Sequence, residues 1–239
     1  GTKNFKRRQT YTYSFRGRLY MGFYLPDISI LIIIAMIDEL KNIFGPKCSA
    51  INVNGETTEF INVPAKPMKL CEAVNYSFNI PVRLINENLG CPGARRCTGF
   101  DNNDRKLAQT ISGNNKIPYS FIMNALNNIP TLHDVRHINL GITKYMEKEM
   151  KLDLFILYVK PDRVTGIMHK LAKHKITPSM PPYSLLSVCG NVFINSYINQ
   201  SVSISFGCPE SRKHGGIEEN EVVLGLPYTI AKFIVAKKI

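Results

Sequence analysis

Two short segments of the chain carry a cysteine, a proline and an arginine in the same order. GCPGARRC spans residues 90–97, and GCPESRKH spans residues 207–214. Proline is favoured at the first position of a helix, so each pattern predicts a helix that begins directly after Cys91 or Cys208. A helix start and a nearby arginine both favour negative charge. Each segment therefore suits a thiolate, which is the form of cysteine that binds metals and acts as a nucleophile.

The two segments belong to a longer internal repeat, in which residues 70–97 align with residues 188–214 across one single-residue gap. The matched pairs are Cys71 with Cys189, Cys91 with Cys208, Pro92 with Pro209, Arg95 with Arg212, and Cys97 with His214. The Pro-Tyr pair at residues 118–119 also matches the pair at residues 227–228. Equivalent residues of two similar units can face each other across a pseudo-twofold axis. We therefore expect the four matched cysteines to converge.

Four converging thiols predict a metal site. An iron–sulfur cluster is the leading interpretation, because four cysteines are the usual ligands of such clusters. The predicted ligands are Cys71, Cys91, Cys189 and Cys208, with Cys97 and His214 in reserve. We expect Arg95 and Arg212 to bind near the cofactor and to offset its negative charge. Zinc on the same thiols would be structural. The chain has six cysteines but no C-x-x-C motif, so their spacing leaves open which metal binds, and whether any does.

Two other functions use the same residues. In a thiol-dependent enzyme, a lowered pKa would make Cys91 the nucleophile, Cys208 or Cys97 would be the resolving thiol, and His214 would carry protons. In an anion or small-metabolite binding protein, the two Gly-Cys-Pro turns would hold a phosphate or carboxylate at a helix start. The sequence leaves open whether the chain is an enzyme.

Composition narrows the class of protein. A chain of 239 residues that is 44% hydrophobic can bury one large core or two small ones. The net charge is +12, yet residues 1–35 hold six Lys and Arg against the single acid Asp27. The rest of the chain has no basic stripe with interleaved aromatic residues, so we do not expect it to bind nucleic acid. The expected partners are a redox or maturation protein and a small anionic ligand.

Hydrophobic patterning predicts the elements that position these residues. The pattern MIDELKNIFGP predicts a helix from Met36, which we interpret as the natural start of one domain, residues 36–239, after an extension of undecided origin, residues 1–35. Its two repeats are residues 36–130 and 131–239. Residues 82–87 and 201–206 alternate like strands, residues 152–159 read as a buried strand, and residues 160–175 as an amphipathic helix. The predicted fold is α/β or α+β, with two pseudo-symmetric halves that share one core and mixed sheets flanked by helices.

The localisation also follows from the sequence. The apolar run ISILIIIAMI has ten residues, about half of what a membrane helix needs, so we expect no membrane span. Cysteines in a chain without a recognisable signal peptide favour the reducing cytoplasm.

Four motifs, LCEAV, LGCPGARRCTGF, SVCGNV and FGCPESRK, resemble in their order the domain of unknown function 169 family, whose members are common in anaerobic archaea and bacteria. The resemblance covers Met36 to Ile239. Glu210 departs from the glycine usual in the family, and Cys97 stands where many relatives have an apolar or small residue. The family has no settled activity. The resemblance therefore implies anaerobic metabolism, which suits a redox or cofactor-maturation role, and the Ile, Lys and Asn richness predicts a methanogenic archaeon as the source.

Overall fold

The computed structural model describes residues 13–15, 18–20, 28–55, 62–141, 151–180 and 185–237. Its main sheet has six strands in the order β4-β5-β3-β6-β8-β7, and each neighbouring pair is antiparallel. These strands are β3 Cys48–Val53, β4 Val82–Ile85, β5 His137–Leu140, β6 Leu154–Val159, β7 Ser203–Ser205 and β8 Val222–Pro227. A separate two-stranded sheet pairs β1 Tyr13–Phe15 with β2 Arg18–Tyr20. The first three strands of the main sheet occupy one half of it, and the last three occupy the other.

Nine α-helices and one π-helix occur in the described part of the chain. The α-helices are α1 Ile28–Phe44, α2 Leu70–Ser77, α3 Pro92–Cys97, α4 Asp104–Asn115, α5 Tyr119–Asn127, α6 Pro161–Lys173, α7 Asn195–Asn199, α8 Pro209–His214 and α9 Tyr228–Lys237. The π-helix spans Ser187–Ile194 and continues directly into α7. Among the residues with assigned structure, no helix is both long and apolar enough to cross a membrane.

The sheet lies between two helical layers, as strand β6 shows. Successive side chains of a strand point to opposite faces. Leu154, Ile156 and Tyr158 join the core beneath α2 to α5 and the π-helix, whereas Phe155 and Leu157 join the core beneath α1, α6 and α9. All six residues of β6 are buried, because helices cover both faces. The unbroken apolar run that predicted this strand has this physical origin.

Most predicted elements are confirmed, including both helices that begin after Cys91 and Cys208 and the amphipathic helix now labelled α6. Three details were wrong. The sheet is antiparallel rather than mixed, because alternation shows which face a side chain occupies but not the strand's direction. Helix α1 begins at Ile28 rather than at Met36, where the sequence pattern placed its start. Finally, the two Pro-Tyr pairs precede unlike helices, since α5 comes before the third strand of its half and α9 after it.

Candidate functional site

The turn at Cys91 is held from both sides of helix α3. Cys91 is extended, with φ −87° and ψ 119°, and Pro92 begins the helix. The backbone N–H groups of Gly93 and Ala94 donate hydrogen bonds to the Cys91 sulfur. The Arg95 guanidinium donates to three carbonyl oxygens, those of Asn86 at 2.6 Å, Leu89 at 3.4 Å and Phe100 at 3.4 Å. Arg95 therefore ties the segment before α3 to the segment after it.

The turn at Cys208 has the same plan. Cys208 is extended before Pro209, and the Arg212 guanidinium donates to the carbonyl oxygens of Phe206 at 2.8 Å, Glu221 at 2.8 Å, and Glu218. Here Ser211 takes part as well, because its hydroxyl oxygen accepts the Cys208 N–H at 2.8 Å and lies 3.4 Å from the Cys208 sulfur. Both arginines that the sequence assigned to a cofactor thus hold backbone carbonyls, and their charge stays beside the turns.

Two further helices supply Cys71 and Cys189. Cys71 is the second residue of α2, which packs against α8 and the π-helix, and Cys189 is the third residue of the π-helix, which packs against α3. Leu186, before the π-helix, has a φ of +49°, which is unfavourable for a bulky residue. Its side chain lies against the Gly93 backbone, where a Cβ would come 2.1 Å from Leu186 Cδ2. Close packing of α3 on a strained segment thus positions Cys189.

Five of the six cysteines come together, and we call Cys71, Cys91, Cys97, Cys189 and Cys208 the thiol cluster. Cys71 interacts electrostatically with Cys91 and Cys208. Cys91 interacts with Cys208 and Cys97. Cys189 is hydrogen-bonded to Cys97 and interacts with Cys91 and Cys208. The sixth cysteine, Cys48, lies in the core on the opposite face of the sheet. Within the described ranges, no three His, Cys, Asp or Glu residues form a group that could hold a metal ion as they stand.

Burial dominates the acidity of these thiols. It raises the pKa of Cys71 to about 12, and repulsion from the Cys91 and Cys208 thiols adds to the rise. Burial also raises the pKa of Cys91, although the hydrogen bonds from Ala94 and Gly93 oppose it. The hydrogen bond with Cys97, together with burial, raises the pKa of Cys189. The expected lowering of the Cys91 pKa was wrong, because loss of hydration outweighs the helix start.

A chain of charged groups lies beside the thiol cluster. Lys69 forms an ion pair with Glu210, and the Glu210 carboxylate lies 3.6 Å from His214 Nε2. Lys69 also interacts electrostatically with Cys91 and Cys71. His214 therefore faces Glu210, whereas its repeat counterpart Cys97 is fully buried among the thiols. The two reserve ligands thus lie in different surroundings.

Sequence reasoning missed Tyr158. This residue of β6 is buried, and its hydroxyl has no hydrogen-bond partner among the described residues. It interacts electrostatically with Cys71, Glu221 and Cys208, and burial raises its pKa. The only signal in the sequence was a phenol within an apolar strand, which does not reveal what lies above the sheet.

The fold and the thiol cluster define an α/β protein whose two halves bring cysteines together on one face of an antiparallel sheet. The chain belongs to the domain of unknown function 169 family, DUF169, described as uncharacterised ArCR, whose model matches residues 40–237. No curated protein matches the chain significantly, and no solved structure does.

Proposed function

We propose that this protein binds an iron–sulfur cluster through Cys71, Cys91, Cys189 and Cys208, and serves a redox or cofactor-maturation role in anaerobic metabolism. The observation that carries the proposal is the electrostatic interaction among these thiols, which lie in or directly before four helices. Four cysteine thiolates are the usual ligands of such a cluster. The proposed site is in the cytoplasm, where thiols stay reduced.

A single zinc ion and an iron–sulfur cluster need different spacings of their thiols. Tetrahedral zinc with Zn–S bonds of about 2.3 Å needs sulfur atoms only about 3.8 Å apart. In the part of the chain that the structure describes, no three His, Cys, Asp or Glu side chains form a group that could hold a metal ion as they stand. An iron–sulfur cluster spreads its thiolates over several iron atoms, so its ligands lie farther apart while still surrounding one cofactor.

The surroundings of the thiol cluster also suit such a cofactor. Burial raises the pKa values of Cys71 and Cys91, so these thiols would keep their protons until a bound cation displaced them and stabilised the thiolates. The N–H groups that donate to the Cys91 sulfur would stabilise its thiolate. The charges of Arg95 and Arg212 would offset part of the cluster's negative charge.

A duplicated unit accounts for this arrangement, and strand order supports it. When β3, β4 and β5 are matched to β6, β7 and β8, the order β4-β5-β3 and the order β6-β8-β7 are related by a twofold axis between β3 and β6. Helix α2 packs on α8, and the π-helix packs on α3, as reciprocal contacts require. The proposed repeat covers the strands and the four cysteine-bearing helices, and leaves out the Pro-Tyr segments.

The two alternative functions have less support. A nucleophilic Cys91 needs a large thiolate fraction at neutral pH, but burial raises its pKa. An anion at the start of α3 needs unoccupied N–H groups, but those of Gly93 and Ala94 donate to the Cys91 sulfur.

The test is anaerobic purification followed by iron and sulfide analysis, visible absorption and electron paramagnetic resonance. We expect a brown protein that contains an iron–sulfur cluster, and we expect its loss in the single variants C71S, C91S, C189S and C208S. The matched control is C48S, which changes a buried thiol on the other face of the sheet and should keep the cluster. A colourless, metal-free protein with six titratable thiols after reconstitution with iron and sulfide would contradict the proposal.

A further inference from the structure

The Tyr158 hydroxyl is a buried hydrogen-bond donor without an acceptor among the described residues. Only 2% of the residue is exposed, so solvent does not replace the missing acceptor. Folded proteins pair nearly all their buried polar groups, and an exception calls for an explanation such as a missing ligand. The surroundings of this hydroxyl therefore show which ligand would complete it.

Alternation along β6 places Tyr158 on the sheet face that carries the thiol cluster. The Phe78 ring packs edge-on against the Tyr158 ring, with centroids 5.0 Å apart, and holds it in place. The titratable groups that interact with it are Cys71, Glu221 and Cys208. The Glu221 carboxylate is engaged by Lys47 at 2.9 Å and by the Glu218 N–H at 2.9 Å, and it forms no hydrogen bond with Tyr158. The unmet donor thus lies on the sheet face that carries the thiol cluster and interacts electrostatically with Cys71 and Cys208.

We propose that the Tyr158 hydroxyl donates a hydrogen bond to a sulfur atom of the cofactor, either an inorganic sulfide or the Cys71 or Cys208 thiolate, and thereby raises the cofactor's reduction potential. This inference rests on the proposed cluster. Reduction adds negative charge to the sulfur atoms, so a donor stabilises the reduced form more than the oxidised form. Tyr158 is a tuning residue, and the four cysteines remain the ligands.

The test compares the anaerobically purified protein with Y158F by redox titration followed by electron paramagnetic resonance. We expect equal iron and sulfide contents and a more negative midpoint potential in Y158F. The matched control is Y197F, because Tyr197 packs on Phe193 and its charged neighbour is Asp153 rather than a cysteine. Equal potentials in Y158F and the unchanged protein would overturn the tuning role and leave the cluster proposal standing. Absence of a cluster from the unchanged protein would overturn both.

A second measurement keeps the inference testable if Y158F fails to fold. Ring-deuterated tyrosine incorporated into the unchanged protein should give a deuterium coupling to the spin of the reduced cluster in electron–nuclear double resonance. No coupling would overturn the inference. In the apoprotein, Y158F should melt no lower than the unchanged protein, because the deleted hydroxyl has no partner there. A lower melting temperature of Y158F would mean that the Tyr158 hydroxyl already donates a hydrogen bond to a protein group. That result would also overturn the inference.

Discussion

Helix α3, which follows Cys91, ends in the buried residues Arg96 and Cys97, whereas the equivalent residues of helix α8, Lys213 and His214, are exposed and partly exposed. The guanidinium of Arg96 pairs with both oxygens of Asp104 at 3.0 and 3.2 Å. It also donates to three backbone carbonyls from the segment that follows α5 and from its last turn. The first turn is therefore anchored inside the protein, and the second lies near its surface.

The glycines before the two cysteines differ in the same sense. Gly207 has a φ of +89°, a conformation that other residues adopt only with strain. Gly90 has no such conformation, but a Cβ there would lie 2.9 Å from Pro67 Cβ. One position needs glycine for its backbone shape and the other for close packing. In both turns an arginine, Arg95 or Arg212, donates hydrogen bonds to three backbone carbonyls, whereas the packing around the two turns differs.

Replacing Arg96 should give the largest effect on stability and so tests the claim that the first turn is anchored. In R96M, Asp104 loses its partner, and three backbone carbonyls lose the hydrogen bonds that Arg96 donates. We expect the free energy of unfolding to fall by about 3–5 kcal/mol, as measured by urea denaturation of the apoprotein. The control is K213M at the exposed position that aligns with Arg96. This variant should change the free energy of unfolding by less than about 0.5 kcal/mol. Similar losses in the two variants would remove the contrast between the turns.

The next largest loss of stability should come from replacing Arg95 or Arg212, each of which donates hydrogen bonds to three carbonyl oxygens. The variants R95K and R212K keep the positive charge. A lysine ammonium, however, lacks the planar guanidinium that lets arginine donate to three carbonyl oxygens at once. We expect each variant to lose about 1–3 kcal/mol of unfolding free energy. If these arginines acted only through their charge on the cofactor, both variants would keep full stability, and calorimetry of the apoprotein would show it.

The roles of Arg95 and Arg212 could not be predicted from the sequence. The sequence predicted where both helices begin, because a proline at the first helical position is a local signal. The convergence of four distant cysteines on a metal stays a prediction, because it rests on the proposed repeat. The sequence did not show that Arg95 and Arg212 hold backbone carbonyls, since those acceptors come together only in the folded chain. It also misjudged the Cys91 pKa, because burial depends on packing that no single segment encodes.

Tyr158 and strand direction show the same limit. The apolar run around Tyr158 predicted a buried strand correctly, but the neighbours of its hydroxyl come from segments up to about 90 residues away in the chain. Likewise, the patterns of β4 and β7 predicted half-buried strands but carried no information on their partners. Local periodicity predicts an element, whereas its neighbours depend on how the whole chain folds.

Thiol reactivity should show a smaller effect, which distinguishes the cysteines of the two turns from the buried cysteines. In the apoprotein, Cys208 and Cys91 are partly exposed, whereas Cys48, Cys71, Cys97 and Cys189 are buried. We expect iodoacetamide to modify the two partly exposed thiols first, as mass spectrometry of peptides would show. Because burial raises the Cys91 pKa, its rate at pH 7 should be below that of a free thiol and should keep rising above pH 9. Fast, pH-independent labelling of Cys91 would favour the thiol-enzyme alternative.

The smallest effect on stability should come from replacing Glu210, which lies in the second turn and has no counterpart in the first. Its ion pair with Lys69 lowers the Glu210 pKa, chiefly through their hydrogen bond. A carboxyl whose pKa is lowered by folding stabilises the protein above its unfolded pKa and loses that contribution as the pH falls through the folded pKa. Glu210 is well exposed, so E210Q should cost less than about 1 kcal/mol at pH 7. In thermal melts, the difference from the unchanged protein should shrink as the pH falls below the ordinary glutamate pKa and vanish once the pH is below the lowered folded pKa. A difference that persisted at low pH would mean that Glu210 contributes by packing, which would place the second turn in the interior like the first.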